Sequence, residues 1–262
     1  MSDDLAPHRL AALLHTEGLG RDYHLLDACA STNDEVAARA RGDAGEGLLV
    51  VAETQSGGRG RLGRAWHSPP GENLYLSLLL RPAMPPWMVP PLTLLVGGVA
   101  AEVLAALGVP ARLKWPNDVL LPVAGGLRKV AGILTEMASE RDRVRHVVVG
   151  VGINVNGTDF PPELAERATS LLLATGRPFD RGTLLAAFLD ALEPAYRQFA
   201  AQGPGSALDL WRKHADLGRR CRIEREGLVV EGVAVDVDAE GTLLVRDDGG
   251  LVHRVLSGEI VT

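Results

Sequence analysis

Three arginines, Arg59, Arg61 and Arg64, are threaded through a glycine run that reads QSGGRGRLGRAW over residues 55–66. Guanidinium groups fork onto carboxylate or phosphate oxygens, and glycine lets backbone come close to a ligand. The same stretch contains GRGRLG, a formal match to the dinucleotide fingerprint G-x-G-x-x-G. That motif needs a strand before it and a helix directly after it, with an acidic residue about 20 positions further on. The strand is there, in GLLVVAET (47–54), but Arg64 is followed by AWHSPPG, which cannot continue as a helix. No acid stands at the required distance, so the dinucleotide reading fails. What is left is a glycine loop able to close over an anion, or a solvated basic surface loop. A nucleic-acid arm is disfavoured by a net charge of −6 and by a single nearby aromatic, Trp66.

Other residue types with chemical potential lie downstream. KWPND (114–118) brings Lys114, Asn117 and Asp118 together, although Pro-Asn-Asp is also good turn chemistry with no ligand. Lys129 opens KVAGIL, and Asn154 lies in GVGINVN. Ser31, Thr32 and Asn33 form a cluster of helix-cap type before DEVAARA. The chain has no GxSxG, HExxH or Walker A motif, which argues against a serine hydrolase, a zinc protease or a P-loop enzyme.

These residues need a frame. With 46% hydrophobic and 23% charged residues, the 262-residue chain has the balance of a folded globular protein. GLLVVAET, NLYLSLLLR (73–81), KVAGILTEM (129–137) and RHVVVGVGINV (145–155) read as strands, with Leu74, Leu76, Leu78 and Leu80 on one face. Helices are expected after Asn33, over Leu92–Leu107, and over Leu185–Phe199, where Pro194 should kink or interrupt the last of them. Residues 5–14 read as one short helix. Between Arg81 and Glu102 the chain is uncharged, but five prolines should break it and leave about ten apolar residues, too few to cross a bilayer. From about Leu217 the pattern becomes short strands and turns, RCRIERE, GLVVEGVAVDVD, TLLVRDD and LVHRVLSGEIV, expected to close into a small barrel. The expected fold class is α+β, a body of residues 1–215 and a β appendage of 216–262. Cys29 and Cys221 form no CxxC pair and read as reduced core thiols. With no apolar leader at the acidic N-terminus, the expected location is the cytoplasm.

In their order, STN, GRGRLGRAW, KWPNDVLL, KVAGIL and GVGINVN resemble the biotin–protein ligases, over roughly Ala30 to Val155. The resemblance implies a central mixed sheet with flanking helices, of the class II synthetase type, and a C-terminal SH3-like barrel. It also implies that biotin's carboxylate attacks the α-phosphate of MgATP to give biotinyl-5′-AMP. A lysine of a biotin carboxyl carrier protein then displaces AMP.

On the same resemblance, Ser31, Thr32 and Asn33 line the biotin pocket. Gln55, Arg59, Gly60 and Arg61 hold biotin and the adenylate phosphate, with Arg59 counted as catalytic. Lys129 is the catalytic lysine between biotin's carboxyl and the α-phosphate, and Gly132 offers backbone to the ring. Arg61, Arg64, Trp66, Lys114, Asn117, Asp118, Lys129 and Asn154 serve ATP, with Trp66 stacked on adenine and Asp118 also orienting the incoming lysine. Trp115 is read as packing. Magnesium reaches the site on the nucleotide, and no dedicated ligands are assigned to it.

Two departures from the family pattern stand out. LLPVAGGLR between Asp118 and Lys129 is long, which questions the aim of Lys129 beside Arg128. The short N-terminal segment implies a monofunctional ligase without a DNA-reading domain, acting as a monomer or homodimer. The alternatives are a lipoate ligase or octanoyltransferase, which also acylates a carrier lysine, and a non-catalytic biotin or adenylate sensor.

Overall fold

The structure is a computed structural model that describes residues 3–225, 228–256, 258 and 260–261. Parts of three C-terminal strand readings, RCRIERE at 226, GLVVEGVAVDVD at 227 and LVHRVLSGEIV at 257 and 259, lie outside the described residues.

Seven strands form the main sheet: β1 (Tyr23–Leu26), β2 (Leu49–Ala52), β3 (Leu74–Leu80), β4 (Arg112–Lys114), β5 (Asp118–Val123), β6 (Gly126–Glu140) and β7 (Arg143–Ile153). Their order is β1-β2-β3-β7-β6-β5-β4. The β1–β2 pair is parallel and the rest are antiparallel, so the sheet is mixed. The helices are α1 (Pro7–Leu13), α2 (Thr32–Ala40), α3 (Pro90–Ala106), α4 (Pro162–Ala165), α5 (Leu171–Thr175), α6 (Arg181–Gln202) and α7 (Gly205–His214).

Both faces of the sheet are covered. Leu74, Leu76, Leu78 and Leu80 of β3 join the large core beneath α3, α6 and α7, as their alternation predicts. Leu79 points the other way, into a second cluster with Val36 and Ala40 of α2, Val50 and Val148. Burial on both faces explains why β2 and β3 read as nearly unbroken apolar runs.

One proline expectation is corrected and another is narrowed. Pro90 and Pro91 do not break the apolar run; they occupy the first turn of α3, where a missing N–H costs nothing. The segment Pro86–Ala106 has the length and composition of a membrane span, yet 72% of its apolar window is buried inside the protein. It is a core helix. Nor does Pro194 interrupt α6, which runs through it for 22 residues. Pro194 lies on the exposed side, where water can serve the carbonyl that loses its partner, while Leu189, Leu192, Tyr196 and Phe199 anchor the buried side.

The C-terminal strands, β8 (Arg220–Arg225), β9 (Leu228–Val237), β10 (Leu243–Arg246), β11 (Val252–Val255) and β12 (Ile260–Val261), make an antiparallel sheet in the order β11-β10-β9-β8-β12. This small sheet matches the SH3-like appendage expected from the sequence. Cys221, Ile223, Ala234 and Leu243 share one apolar cluster with the main body. Trp115 is buried there and donates its Nε1–H to Gly241 O at 3.0 Å, which bears out its packing role. Cys221 is a core thiol, but Cys29 is only half-buried at the end of β1, so the core reading of that residue is corrected.

Candidate active site

Three glycines build the floor of the cleft. A Cβ at Gly152 would come within 2.5 Å of the Trp66 indole, one at Gly150 within 2.2 Å of Asn33 Oδ1, and one at Gly132 within 3.0 Å of both Lys129 Nζ and Trp66. On β7, positions 150 and 152 face the same way, so the missing side chains carve a trough in the sheet. It opens into a cleft bounded by α2, the glycine loop and β6. Gly150 and Gly152 were not among the expected site residues, although the alternating glycines of GVGI were the signal.

One end of the cleft is polar. Ser31 flanks the start of α2 at the cap position with extended backbone, and among the described residues its side chain makes no capping bond; the residue lines the cleft instead. The helix-cap alternative therefore does not hold for Ser31. Thr32 donates its backbone N–H to Gln55 Oε1 at 2.9 Å, which ties α2 to the start of the glycine loop. Asn33 Nδ2 donates to Glu136 Oε2 at 2.5 Å, and Ser77 on β3 touches both Thr32 and Asn33 from below.

Lys129 owes its aim to a bulge. The β5–β6 register passes from Val119↔Ala131 to Leu120↔Lys129, so Val130 has no partner of its own. On a regular strand residues 129 and 132 would face opposite sides. The extra residue reverses the parity and brings Lys129 onto the cleft side with Gly132. Its backbone is held by Arg167 O at 2.7 Å and by the N–H of Thr169 at 2.9 Å. Lys129 Nζ lies 2.5 Å from Asp118 Oδ1 and 5.1 Å from the centroid of the Trp66 ring. Arg128 turns away and donates to Ala165 O. The long β5–β6 connection is a hairpin turned at Gly125 and Gly126, both at positive φ as only glycine readily adopts, so the added residues extend the tip and leave Lys129 in place.

The loop closes as a small hairpin of its own. Trp66 N–H bonds to Gly58 O at 2.9 Å and Gly60 N–H to Arg64 O at 2.7 Å, with exposed Leu62 at the tip. Arg59 forks onto Asp34 with two 2.6 Å bonds and stands 3.5 Å from Glu136. The Arg59 hydrogen bond holds the Asp34 carboxyl below the usual carboxylate range. Trp66 lies on the glycine floor, and its buried Nε1–H has no hydrogen-bond partner among the described residues.

The structure thus brings together Ser31, Thr32, Asn33, Gln55, Arg59, Gly60, Trp66, Asn117, Lys129 and Gly132, with Asp118 against Lys129. Asn117 also does turn work, exchanging two hydrogen bonds with Ile133. Arg61 faces the wider neighbouring cleft and donates to Gly258 O at 3.4 Å. Arg64, Lys114 and Asn154 do not line the cleft. Lys114 lies in a separate crevice with Trp211 and Asp216. Asn154 is buried and ties β7 to Thr169 O. Among the described residues, no three His, Cys, Asp or Glu side chains are grouped to hold a metal ion.

A mixed sheet with a glycine-floored cleft, a lysine at a bulge and an arginine loop is the architecture of an acyl-activating ligase. The model of the Biotin/lipoate A/B protein ligase family matches residues 30–154, and that of the Biotin protein ligase C terminal domain matches residues 216–262. The bifunctional ligase/repressor BirA of Bacillus subtilis is 39% identical over 251 residues, covering 94% of this chain and 76% of its own. The biotin–[acetyl-CoA-carboxylase] ligase of Mycobacterium tuberculosis is 36% identical over 255 residues, covering 93% and 91%. The chain belongs to the biotin protein ligase family. Its structure superposes on the biotin protein ligase from Aquifex aeolicus in complex with biotin and ATP with a TM-score of 0.77 at 30% identity, over 92% of this chain and 98% of that one.

Proposed function

We propose that this chain activates biotin with ATP and transfers it to a lysine of a biotin carboxyl carrier protein. The observation that carries the reading is Lys129, delivered by the β6 bulge to a cleft whose opposite wall is the arginine loop. In the first step a carboxylate oxygen of biotin attacks the α-phosphorus, the bond to the bridging oxygen breaks, and pyrophosphate leaves. Two anions must meet, so fixed positive charge and orientation supply most of the catalysis. Lys129 and Arg59, which both line the cleft, supply that charge. In the second step the carrier amine attacks the acyl carbon, the bond to AMP breaks, and the amine loses a proton. Asp118, beside Lys129, is the residue we assign to orient that amine.

The polar end made by Ser31, Thr32, Asn33 and Gln55 suits a cyclic urea better than a dithiolane or an alkyl chain, which favours biotin over lipoate or octanoate. Trp66 supplies an aromatic face for the adenine. Magnesium would travel on the phosphates of ATP. Residues 1–215 form the catalytic domain in this reading and 216–262 the appendage; the acidic net charge and mostly buried apolar helix fit a cytoplasmic enzyme.

The test is ATP–pyrophosphate exchange with biotin, lipoate and octanoate in parallel. Exchange with biotin alone supports the reading. Exchange with lipoate but not biotin moves the chain to the sister activity, and silence with all three leaves a sensor.

A further inference from the structure

Ser77 is fully buried on β3, directly behind the polar end of the cleft. Its Oγ lies 2.7 Å from Thr32 Oγ1 and 2.6 Å from Asn33 Oδ1. Each hydroxyl has one proton to give. Asn33 Nδ2 faces two acceptors, Glu136 Oε2 at 2.5 Å and Leu134 O at 3.4 Å, so the atom facing Ser77 is the amide oxygen, which can only accept. The Ser77 proton therefore goes to Asn33. The short contact between Ser77 and Thr32 then takes the Thr32 proton. None is left for Gln55 Oε1, 3.2 Å from the Thr32 hydroxyl and already served by the Thr32 backbone N–H. Thr32 Oγ1 is left with its lone pairs for the cleft. Gly150 keeps Asn33 in place, because any side chain there would meet its Oδ1 at 2.2 Å.

We infer that Ser77 is a positioning residue that fixes the Thr32 hydroxyl as a hydrogen-bond acceptor and so selects acids whose ring carries an N–H donor. The inference rests on the biotin reading. A cyclic urea offers such an N–H, and a dithiolane or an alkyl chain does not. Ser77 itself need not touch the ligand; it acts through Thr32 and Asn33.

The experiment is ATP–pyrophosphate exchange by the full chain as wild type, Ser77→Ala, Thr32→Val and the double variant. Ser77→Ala should raise the biotin KM roughly tenfold, while the ATP KM and kcat stay within about threefold. Its effect should shrink clearly in the Thr32→Val background, since coupled residues do not act additively. A biotin KM within twofold of wild type, or an equal effect of Ser77→Ala in both backgrounds, overturns the inference. If Ser77→Ala is less stable, calorimetric titration with biotin on the folded fraction gives the same comparison, because a dissociation constant does not depend on how much protein is active. Wild-type silence with biotin sinks the ligase reading and this inference with it. Wild-type exchange beside an unaffected Ser77→Ala removes the inference alone.

Discussion

Lys129 and Gly132 stand three residues apart on one strand and share a face, because Val130 is bulged out between them. The bulge, rather than the strand's own alternation, decides which basic residue of the Arg128–Lys129 pair enters the cleft. Lys129→Ala should lower biotin-dependent exchange by about 10²- to 10³-fold, the usual loss when a charge-stabilising donor is removed. Arg128→Ala should leave it within about twofold. Equal losses in the two variants would show that the bulge does not set the aim.

The glycine floor makes a second prediction. The methyl group of Gly152→Ala would lie 2.5 Å from the Trp66 indole, so the ring must leave the trough or the strand must shift. Biotin KM should rise about tenfold or more, with a change in tryptophan emission. An unchanged KM together with unchanged emission would mean that Trp66 and the ligand do not share this floor.

Loop closure should depend on Asp34. Arg59 holds its carboxyl below the ordinary range, so the contact is complete above that range and is lost as pH falls through the lowered value, below about pH 4. Asp34→Asn reproduces the loss at neutral pH. Amide hydrogen exchange over residues 57–66 should be faster in Asp34→Asn than in wild type, and slower in wild type once biotin and ATP are added. Exchange that responds to neither change would sink the latch and the closing loop together.

Behind the site, Arg181 is 1% exposed and bonds to Asp4, Glu53 and Asn73 O. Glu53 lies two residues before Gln55, so this buried network fixes the root of the glycine loop. Arg181→Ala strands two carboxylates and should cost about 3–5 kcal/mol in urea unfolding. A cost below about 1 kcal/mol would show that water replaces the guanidinium.

The Cys29 thiol is pushed up to about 11, by burial first and then by Glu35 and Asp34. Burial also raises Cys221. Both should resist Ellman's reagent at pH 8 in the native protein and react promptly in denaturant. Fast native labelling at Cys29 would show that the end of β1 opens.

The sequence made much of this legible, for local reasons. The apolar runs of β2 and β3 and the helical spacing from Leu92 to Leu107 each report burial that a single element enforces. The ordered motifs located the cleft, but its geometry depends on longer-range features. The Val130 bulge is hidden in KVAGIL, where no polar residue marks the change of parity. Ser77 reads as a small residue inside LYLSLLL until α2 is packed above it, and Lys114 sits in a motif but on a strand that points it elsewhere. Asp34 lies in DEVAARA and Glu136 in KVAGILTEM, and neither stretch marks its acid as a partner for Arg59. Only the folded loop brings Arg59 to both.

The β3–β7 pairing, Leu74↔Ile153 through Leu80↔Val147, joins the two halves of the chain that furnish the cleft. Residues 31–66 stand on one side of that seam and residues 117–134 on the other, while the seam itself supplies Gly150, Gly152 and Ser77. No contiguous fragment on either side can bind. Closing so long a loop is slow compared with forming the β5–β6 or β6–β7 hairpins. A complete cleft requires the β3–β7 pairing, which holds Gly150, Gly152 and Ser77 between its two walls.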